Sequence, residues 1–212
     1  MKKIVAIVGS NADRSTNRQL LEYMQQRYKG EAEIDLMEVD GLPIFQKTRG
    51  MVIPDQAKEM AAKIDAAAGV IIATPEWDHS IPAILSSALA WLSYGIHPLM
   101  DKPVMITGAS FGNLGTSRAQ AQLRQILDSP EIEARIMPSS EFLLGHSLNA
   151  FDQNGDLLDE SQNERLDALF EDFMTFTDVS GKLKHTYADD ERRKNEMHVD
   201  YGVEGTERQA EH

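Results

Sequence analysis

Hydroxyl, amide and guanidinium side chains crowd the first loop of the chain. The stretch IVAIVGSNADRSTNRQL, residues 4–20, changes from an apolar strand to a polar loop and then to a helix. Free backbone N–H groups at a helix start attract anions. Uncharged donors are added there by Ser10, Ser15, Thr16 and Asn17. This set suits a phosphate monoester; the alternative is that Ser15 or Asn17 merely caps the helix.

A second polar loop follows the third apolar run, in the stretch ATPEWDHSIP. Pro75 and Pro82 stiffen its two sides, and Trp77 offers a flat apolar face. A ring system could lie against this loop and accept hydrogen bonds from the backbone N–H groups of residues 76–79. The alternatives are a partly buried loop aromatic for Trp77 and a solvated side chain for His79, and we favour the solvated position for His79.

Glycines mark a third loop after the fourth apolar run, in the stretch ITGASFGNLGTSRAQ. Gly108, Gly112 and Gly115 permit close backbone approaches that a Cβ atom would block. Ligands of open α/β sheets bind outside the carboxyl ends of the strands, so the three loops should converge there. Phosphate donors, an aromatic platform and a glycine-rich turn together predict a phosphorylated planar cofactor, with flavin mononucleotide (FMN) as the candidate.

Several other kinds of site are excluded by what the sequence lacks. There is no GxxxxGK[ST] loop for nucleoside triphosphates and no GxGxxG fingerprint for dinucleotides. The absence of cysteine excludes thiolate chemistry, and six histidines without HxxxH or HExxH spacing leave no metal site expected. The net charge of −13 argues against nucleic acid or an anionic membrane as a partner. No apolar run approaches the roughly 20 residues that a membrane span needs, and we expect a cytoplasmic protein.

Alternating apolar runs and helical patterns position these loops. Strands are predicted at residues 3–8, 32–37, 69–74 and 103–108, with a weaker fifth near residues 134–137 and 142–144. Helical spacing separates the strands, and a fifth helical pattern follows them. This order predicts an α/β domain over residues 1–179, with a doubly wound five-stranded parallel sheet and helices on both faces. Residues 180–212 combine dense mixed charge with few large apolar residues, which predicts a C-terminal tail that is flexible or docked on a partner subunit.

Four stretches resemble the NAD(P)H-dependent FMN reductase family: GSNADRSTNRQL, TPEWDHSIPAILSSALAWLS, GASFGNLGTSRAQAQLR and NAFDQNGDLLDE. The second is close to the family pattern TPEYNxSxPxxLKxAxDWLS. The resemblance implies a flavodoxin-like fold with strand order 2-1-3-4-5. It implies that the FMN phosphate is bound by Ser10, Ser15, Thr16 and Asn17. It also implies that the isoalloxazine ring is lined, mostly through backbone, by Pro75, Glu76, Trp77, Asp78, His79 and Ser80, with its other edge flanked by Gly108, Ala109, Ser110 and Gly112.

Three positions depart from the family pattern. Ala12 stands where the family usually carries an arginine, so either Arg14 supplies that charge from a shifted position or phosphate affinity is weaker. Trp77 replaces the usual tyrosine and keeps the aromatic surface. Asp78 replaces the usual asparagine, and its charge would disfavour an anionic reduced flavin if the side chain faced the ring. Backbone-only contact would make Asp78 harmless.

The resemblance implies a flavoprotein reductase in which NADPH or NADH passes a hydride to bound FMN. The flavin would then reduce free FMN, a quinone, an azo compound or another small acceptor. No catalytic acid or base is required, because the cofactor carries the chemistry. A flavodoxin-type electron-transfer protein without NAD(P)H turnover is the alternative, and a module that has kept the fold but lost the flavin is a second.

Two further expectations concern the nucleotide and the assembly. Arg118 and Arg124 follow the fourth strand and could meet a nicotinamide nucleotide phosphate, although ordinary solvated helix charge is the favoured interpretation. The family implies a homodimer or homotetramer. Residues 88–94 are apolar on nearly all sides of their helix, which favours burial against a second subunit.

Overall fold

Strands and helices alternate through the described part of the computed structural model, which comprises residues 1–47 and 52–183. The strands are β1 (Lys2–Val8), β2 (Ala32–Glu38), β3 (Gly69–Ala73), β4 (Pro103–Ala109), β5 (Arg135–Ile136) and β6 (Phe142–Leu144). The helices are α1 (Thr16–Arg27), α2 (Asp55–Ala66), α3 (Ala83–Trp91), α4 (Ser117–Leu127) and α5 (Glu160–Ser180), with a short 3-10 helix at Ser147–Asn149. None of the helices in these ranges is long and apolar enough to span a membrane.

The strands form one parallel sheet in the order β2-β1-β3-β4-β5, which confirms the predicted topology. The fifth strand is interrupted. β5 pairs with the start of β4 and β6 with its end, both in parallel. Pro138, which has no N–H to donate, and Ser139, at φ 54°, lie between the two pieces and account for the break.

Side chains of the central strands alternate between two apolar cores. From β1, Val5 and Ile7 face α2, α3 and α4, whereas Ile4, Ala6 and Val8 face α1 and α5. Because both faces of the sheet are covered, the buried parts of β1, β3 and β4 are almost entirely apolar, as strands of a doubly wound fold should be. The parallel register then brings the carboxyl ends of β1, β3 and β4 to one edge.

The apolar surface of α3 is covered by the chain itself. Leu89, Trp91 and Leu92 are buried. Trp91 packs edge-on against the ring of Phe45, with 5.0 Å between ring centroids, and its indole N–H donates to the carbonyl of Pro43 at 2.8 Å. The composition of this helix therefore does not by itself require a second subunit, and the homodimer or homotetramer stays a prediction.

The last helix ends beside the predicted domain boundary. α5 ends at Ser180 and packs Leu166, Phe170 and Phe173 into the core that it shares with α1. The division into a domain at residues 1–179 and a tail at 180–212 stays a prediction, since residues 184–212 lie outside the described residues.

Candidate functional site

Three polar loops meet at the carboxyl edge of the sheet, as the sequence predicted. We call residues 9–15 the first loop, residues 74–82 the aromatic loop and residues 110–116 the glycine loop; they follow β1, β3 and β4, which are neighbours in the sheet. Backbone hydrogen bonds join the strand ends from which these loops start. The N–H of Gly9 donates to the carbonyl of Ala73 at 2.8 Å, and the N–H of Thr74 donates to that of Thr107 at 3.0 Å.

The first loop leads into α1 through a serine cap. The hydroxyl of Ser15 accepts a hydrogen bond from the N–H of Arg18 at 3.2 Å, so Ser15 is the N-cap of α1. The buried hydroxyl of Ser10 accepts from the N–H of Ala12 at 3.3 Å. The N–H groups of Thr16 and Asn17 donate to no atom of the described residues, as expected for the first turn of a helix.

The side chain of Asn17 holds two loops together. It is 2% exposed; its amide nitrogen donates to the carbonyl of Ala109 at 2.9 Å, and its amide oxygen accepts from the N–H of Ala109 at 2.9 Å. Both polar atoms of the side chain thus bond to the end of β4, while the backbone N–H of Asn17 is left for a ligand.

The two arginines of this region differ in their partners. Arg18 makes a two-pronged ion pair with Glu38, with N–O distances of 2.7 and 2.9 Å, and donates to the carbonyl of Ala12 at 3.2 Å. The hydrogen bond to Glu38 is the main cause that raises the pKa of Arg18. Arg14 is exposed and makes no hydrogen bond or ion pair with any described residue. Arg14 is therefore the basic side chain of this loop that is free to meet an anion.

The aromatic loop contains a tight two-residue turn. Trp77 and Ser80 exchange backbone hydrogen bonds at 3.0 and 2.9 Å, and the residues between them, Asp78 and His79, have φ angles of 50° and 64°. Two successive left-handed residues define a type I′ turn, in which aspartate and histidine are tolerated better than most side chains. The turn leaves Trp77 48% exposed, while Pro75 at its base is buried.

The two glycines at the end of β4 serve different purposes. A Cβ atom on Gly108 would lie 1.9 Å from the hydroxyl of Thr116 and 2.6 Å from the carbonyl of Thr74, so this position must be glycine for packing within the chain. A Cβ atom on Gly112 would meet nothing within 4 Å. The hydroxyl of Ser110 donates to the carbonyl of Gly112 at 3.1 Å and so fixes the start of the glycine loop.

Charged side chains on α4 are engaged within the protein. Arg118 donates to the carboxylate of Glu76 at 2.8 Å. Arg124 donates to the carbonyls of Met137, at 3.2 Å, and Ser140. Neither arginine is an unpartnered helix charge.

A profile of the family described as NADPH-dependent FMN reductase matches residues 2–149. The chain belongs to this family. NADH:(hydroxy)cinnamate reductase subunit CrdA of Vibrio ruber is 53% identical over 179 residues, 84% of this chain and 89% of that protein. NADH-dependent flavin reductase subunit 2 of Lactobacillus johnsonii is 44% identical over 186 residues, 85% of this chain and 100% of that protein. Among solved structures, the flavoenzyme NAD(P)H:(acceptor) oxidoreductase FerB from Paracoccus denitrificans has the same fold, with a TM-score of 0.76 at 24% identity over 85% of this chain and 99% of that chain.

Membership of the FMN reductase family confirms the predicted class of enzyme. The chain is an NAD(P)H-dependent flavin oxidoreductase with FMN as its cofactor. The family supports this assignment over the flavodoxin-type carrier. Within the described ranges no group of histidine, aspartate or glutamate side chains could hold a metal ion.

A fourth segment beside the candidate site was missed by the sequence reasoning. Ser147, in the 3-10 helix after β6, is 1% exposed, and its hydroxyl lies 2.8 Å from that of Thr16. Its N–H donates to the carbonyl of Ser110 at 2.9 Å, and next to it Leu148 is 65% exposed. The segment GHSLNA carries no pattern that indicates a site, although its glycine and serine are typical of a turn at the end of a strand.

Proposed function

We propose that this reductase holds the FMN phosphate at the first loop and the first turn of α1. The observation that carries the proposal is the pair of backbone N–H groups of Thr16 and Asn17, which have no acceptor among the described residues and lie at a helix N-terminus. Such groups, together with the helix dipole, favour a phosphate. The unpartnered guanidinium of Arg14 would add the positive charge that the family supplies from the position of Ala12. The hydroxyl of Ser15 still has a proton to donate after accepting the helix cap.

The same proposal puts the isoalloxazine ring between the aromatic loop and the glycine loop. The N–H groups of Glu76, Asp78 and His79 donate to no described atom, so backbone donors are available on one side. The exposed face of Trp77 would shield the ring from water, and the open space beside Gly112 leaves room for its other edge. Bound FMN supplies the hydride-accepting and electron-donating chemistry, so the residues of the chain are needed to bind, orient and shield it.

We further propose that NADH is the preferred reductant and that the acceptor is a small conjugated molecule. The two relatives compared above carry NADH in their names, and they are named for a (hydroxy)cinnamate and for a flavin. The acceptor candidates are therefore free FMN, a quinone, an azo compound or a cinnamate. Steady-state oxidation of NADH and of NADPH by the FMN-loaded protein with each acceptor tests this. A higher kcat/KM with NADPH, or no turnover with any acceptor, would contradict it.

Both relatives are also named as subunits, which supports a proposal about assembly. We propose that the chain works beside a different polypeptide rather than only with copies of itself. Native mass spectrometry of the affinity-tagged protein, isolated from its own cells, would detect a second chain in constant ratio. A mass equal to one, two or four copies of this chain would favour the monomer, the predicted homodimer or the predicted homotetramer instead.

Arg14→Ala tests the phosphate site. The variant should bind FMN roughly tenfold more weakly, since a hydrogen bond to a charged group contributes about 1.5–3 kcal/mol and exposure places this one at the low end. Riboflavin, which lacks the phosphate, should bind as it does to the wild type. Lys29→Ala is the matched control, because Lys29 is exposed, follows the far end of α1 and gives the same change of net charge. Equal losses for FMN and riboflavin, or no loss for FMN, would put the phosphate elsewhere.

A further inference from the structure

The aromatic loop is fastened to α4 at two points on either side of its turn. Before the turn, the carboxylate of Glu76 accepts hydrogen bonds from the first turn of the helix. After the turn, the N–H of Ile81 donates to the side-chain oxygen of Gln122 at 2.8 Å. Residues 118 and 122 are four apart on α4 and so share one face of the helix.

The first fastening supplies a cap that α4 lacks. Its N-cap residue, Thr116, is left-handed at φ 71° and makes no capping hydrogen bond through its side chain. One carboxylate oxygen of Glu76 instead accepts from the N–H groups of Arg118, at 3.0 Å, and Ala119, at 3.4 Å. The other accepts from the guanidinium of Arg118 at 2.8 Å, and the Glu76 side chain is only 10% exposed. A negative charge at this helix end is favourable because it meets the positive end of the helix dipole.

The second fastening satisfies a backbone group that would otherwise be buried without a partner. Ile81 is 7% exposed, and Gln122 provides the acceptor for its N–H. Removal of that acceptor leaves the N–H unsatisfied, which is more costly than the loss of an exposed hydrogen bond. Between the two fastenings lie the left-handed residues Asp78 and His79, a conformation that few non-glycine residues adopt without support from their surroundings.

We propose that the side chains of Glu76 and Gln122 are positioning residues, which hold the aromatic loop in the conformation that receives the flavin ring. This inference rests on the proposed location of the ring. The carboxylate of Glu76 and the amide of Gln122 act through the loop and need not touch the cofactor. Without them the loop populates other conformations, and the apparent affinity for flavin falls in proportion to the population that remains competent to bind.

Gln122→Ala, measured by flavin fluorescence titration, tests the proposal. The dissociation constants of FMN and riboflavin should both rise by about fivefold, the equivalent of one hydrogen bond. The two factors should be equal because the loop faces the ring and not the phosphate. Gln122→Glu keeps an acceptor oxygen and should restore the affinity. Gln125→Ala is the matched control, since Gln125 is exposed on the same helix and makes no hydrogen bond with a described residue.

Several results would overturn the inference. If Gln122→Ala binds both flavins with wild-type affinity but has a lowered melting temperature, Gln122 stabilises the fold and does not position the loop for flavin. If the variant loses affinity for FMN alone, Gln122 acts on the phosphate site and not on the ring site. If Gln122→Ala does not fold, Glu76→Gln becomes the test, because it keeps the size of the side chain and removes the charge. Unchanged binding of FMN and riboflavin by Glu76→Gln would refute the proposal. A wild-type protein that binds neither flavin would overturn the proposed function and this inference with it. Normal wild-type binding and insensitive variants would overturn the inference alone.

Discussion

Two glycines at the end of β4 should respond in opposite ways to the same added methyl group. In Gly108→Ala, the new Cβ atom would lie 1.9 Å from the hydroxyl of Thr116, 2.6 Å from the carbonyl oxygen of Thr74 and 3.1 Å from the side-chain nitrogen of Gln120. In Gly112→Ala, the new atom would meet nothing within 4 Å. The first change overfills the space between the aromatic loop, the glycine loop and α4, whereas the second enters the space that we propose for the flavin.

The expected loss of stability depends on which of the neighbouring atoms can move away from the new Cβ atom. A hydroxyl can rotate away, but the carbonyl of Thr74 belongs to the backbone that leaves β3, so relief of the contact at Gly108 requires a shift of the aromatic loop. Overpacking of this kind costs about 3 kcal/mol, the upper end of the usual range. In a protein of this size that loss lowers the melting temperature by roughly 9 °C. Gly112→Ala should leave the melting temperature unchanged or raise it slightly, since alanine restricts the unfolded chain by about 0.5 kcal/mol.

Thermal unfolding of the flavin-free proteins, followed by circular dichroism, gives the stabilities, and flavin fluorescence gives the affinities. Gly112→Ala should bind FMN more weakly than the wild type without any loss of stability. A wild-type melting temperature for Gly108→Ala would refute the packing argument, because no backbone oxygen could then lie so close. Wild-type FMN affinity for Gly112→Ala would place the ring away from the glycine loop.

Three more outcomes are expected. Asn17→Ala should lower the free energy of unfolding by about 3 kcal/mol in urea titrations, because it strands both backbone groups of Ala109; a loss below 1 kcal/mol would contradict this. The hydrogen bond from Arg27 is the main cause that lowers the pKa of Asp167, so this pair stabilises the fold above the ordinary aspartate pKa of about 3.9 and loses its effect as the pH falls through the lower folded-state value. Asp167→Asn should therefore melt earlier than the wild type at pH 7 and together with it in strong acid; a constant difference across pH would refute the linkage. Light scattering of the isolated chain at micromolar concentration should show an oligomer if the homodimer or homotetramer exists, and a monomer would contradict both.

The layout of the sheet was predictable because strands that are buried on both faces appear in the sequence as continuous apolar runs. Residues 4–8 of β1, 70–73 of β3 and 104–106 of β4 are apolar without interruption and buried. The position of the loops then follows from the parallel order, since each strand of this kind ends at the same edge. The break in the fifth strand also has a cause in the sequence, Pro138, although the apolar pattern there predicts only a weak strand.

The partners of the polar side chains were not predictable. Asn17 meets Ala109 across 92 positions, and Thr16 meets Ser147 across 131. A loop residue carries no periodicity, so nothing in its neighbours indicates which distant group will satisfy it. The packing of Pro43 and Phe45 against α3 was not predictable for the same reason, because both residues lie in a segment without regular structure.

These contacts change how mutations at the site should be interpreted. Asn17, Ser15 and Glu76 all lie where a flavin was predicted, yet each side chain already bonds to another part of the chain. Loss of FMN binding in an alanine variant at any of them would therefore follow equally from a displaced loop or a missing contact. The ratio of FMN to riboflavin affinity shows which part of the site is disturbed, because a displaced aromatic loop weakens both flavins and a disturbed phosphate site weakens FMN alone. By this argument Ser15→Asp, which keeps a helix cap and adds a negative charge, should weaken FMN far more than riboflavin, and equal weakening would mean that the phosphate lies away from α1.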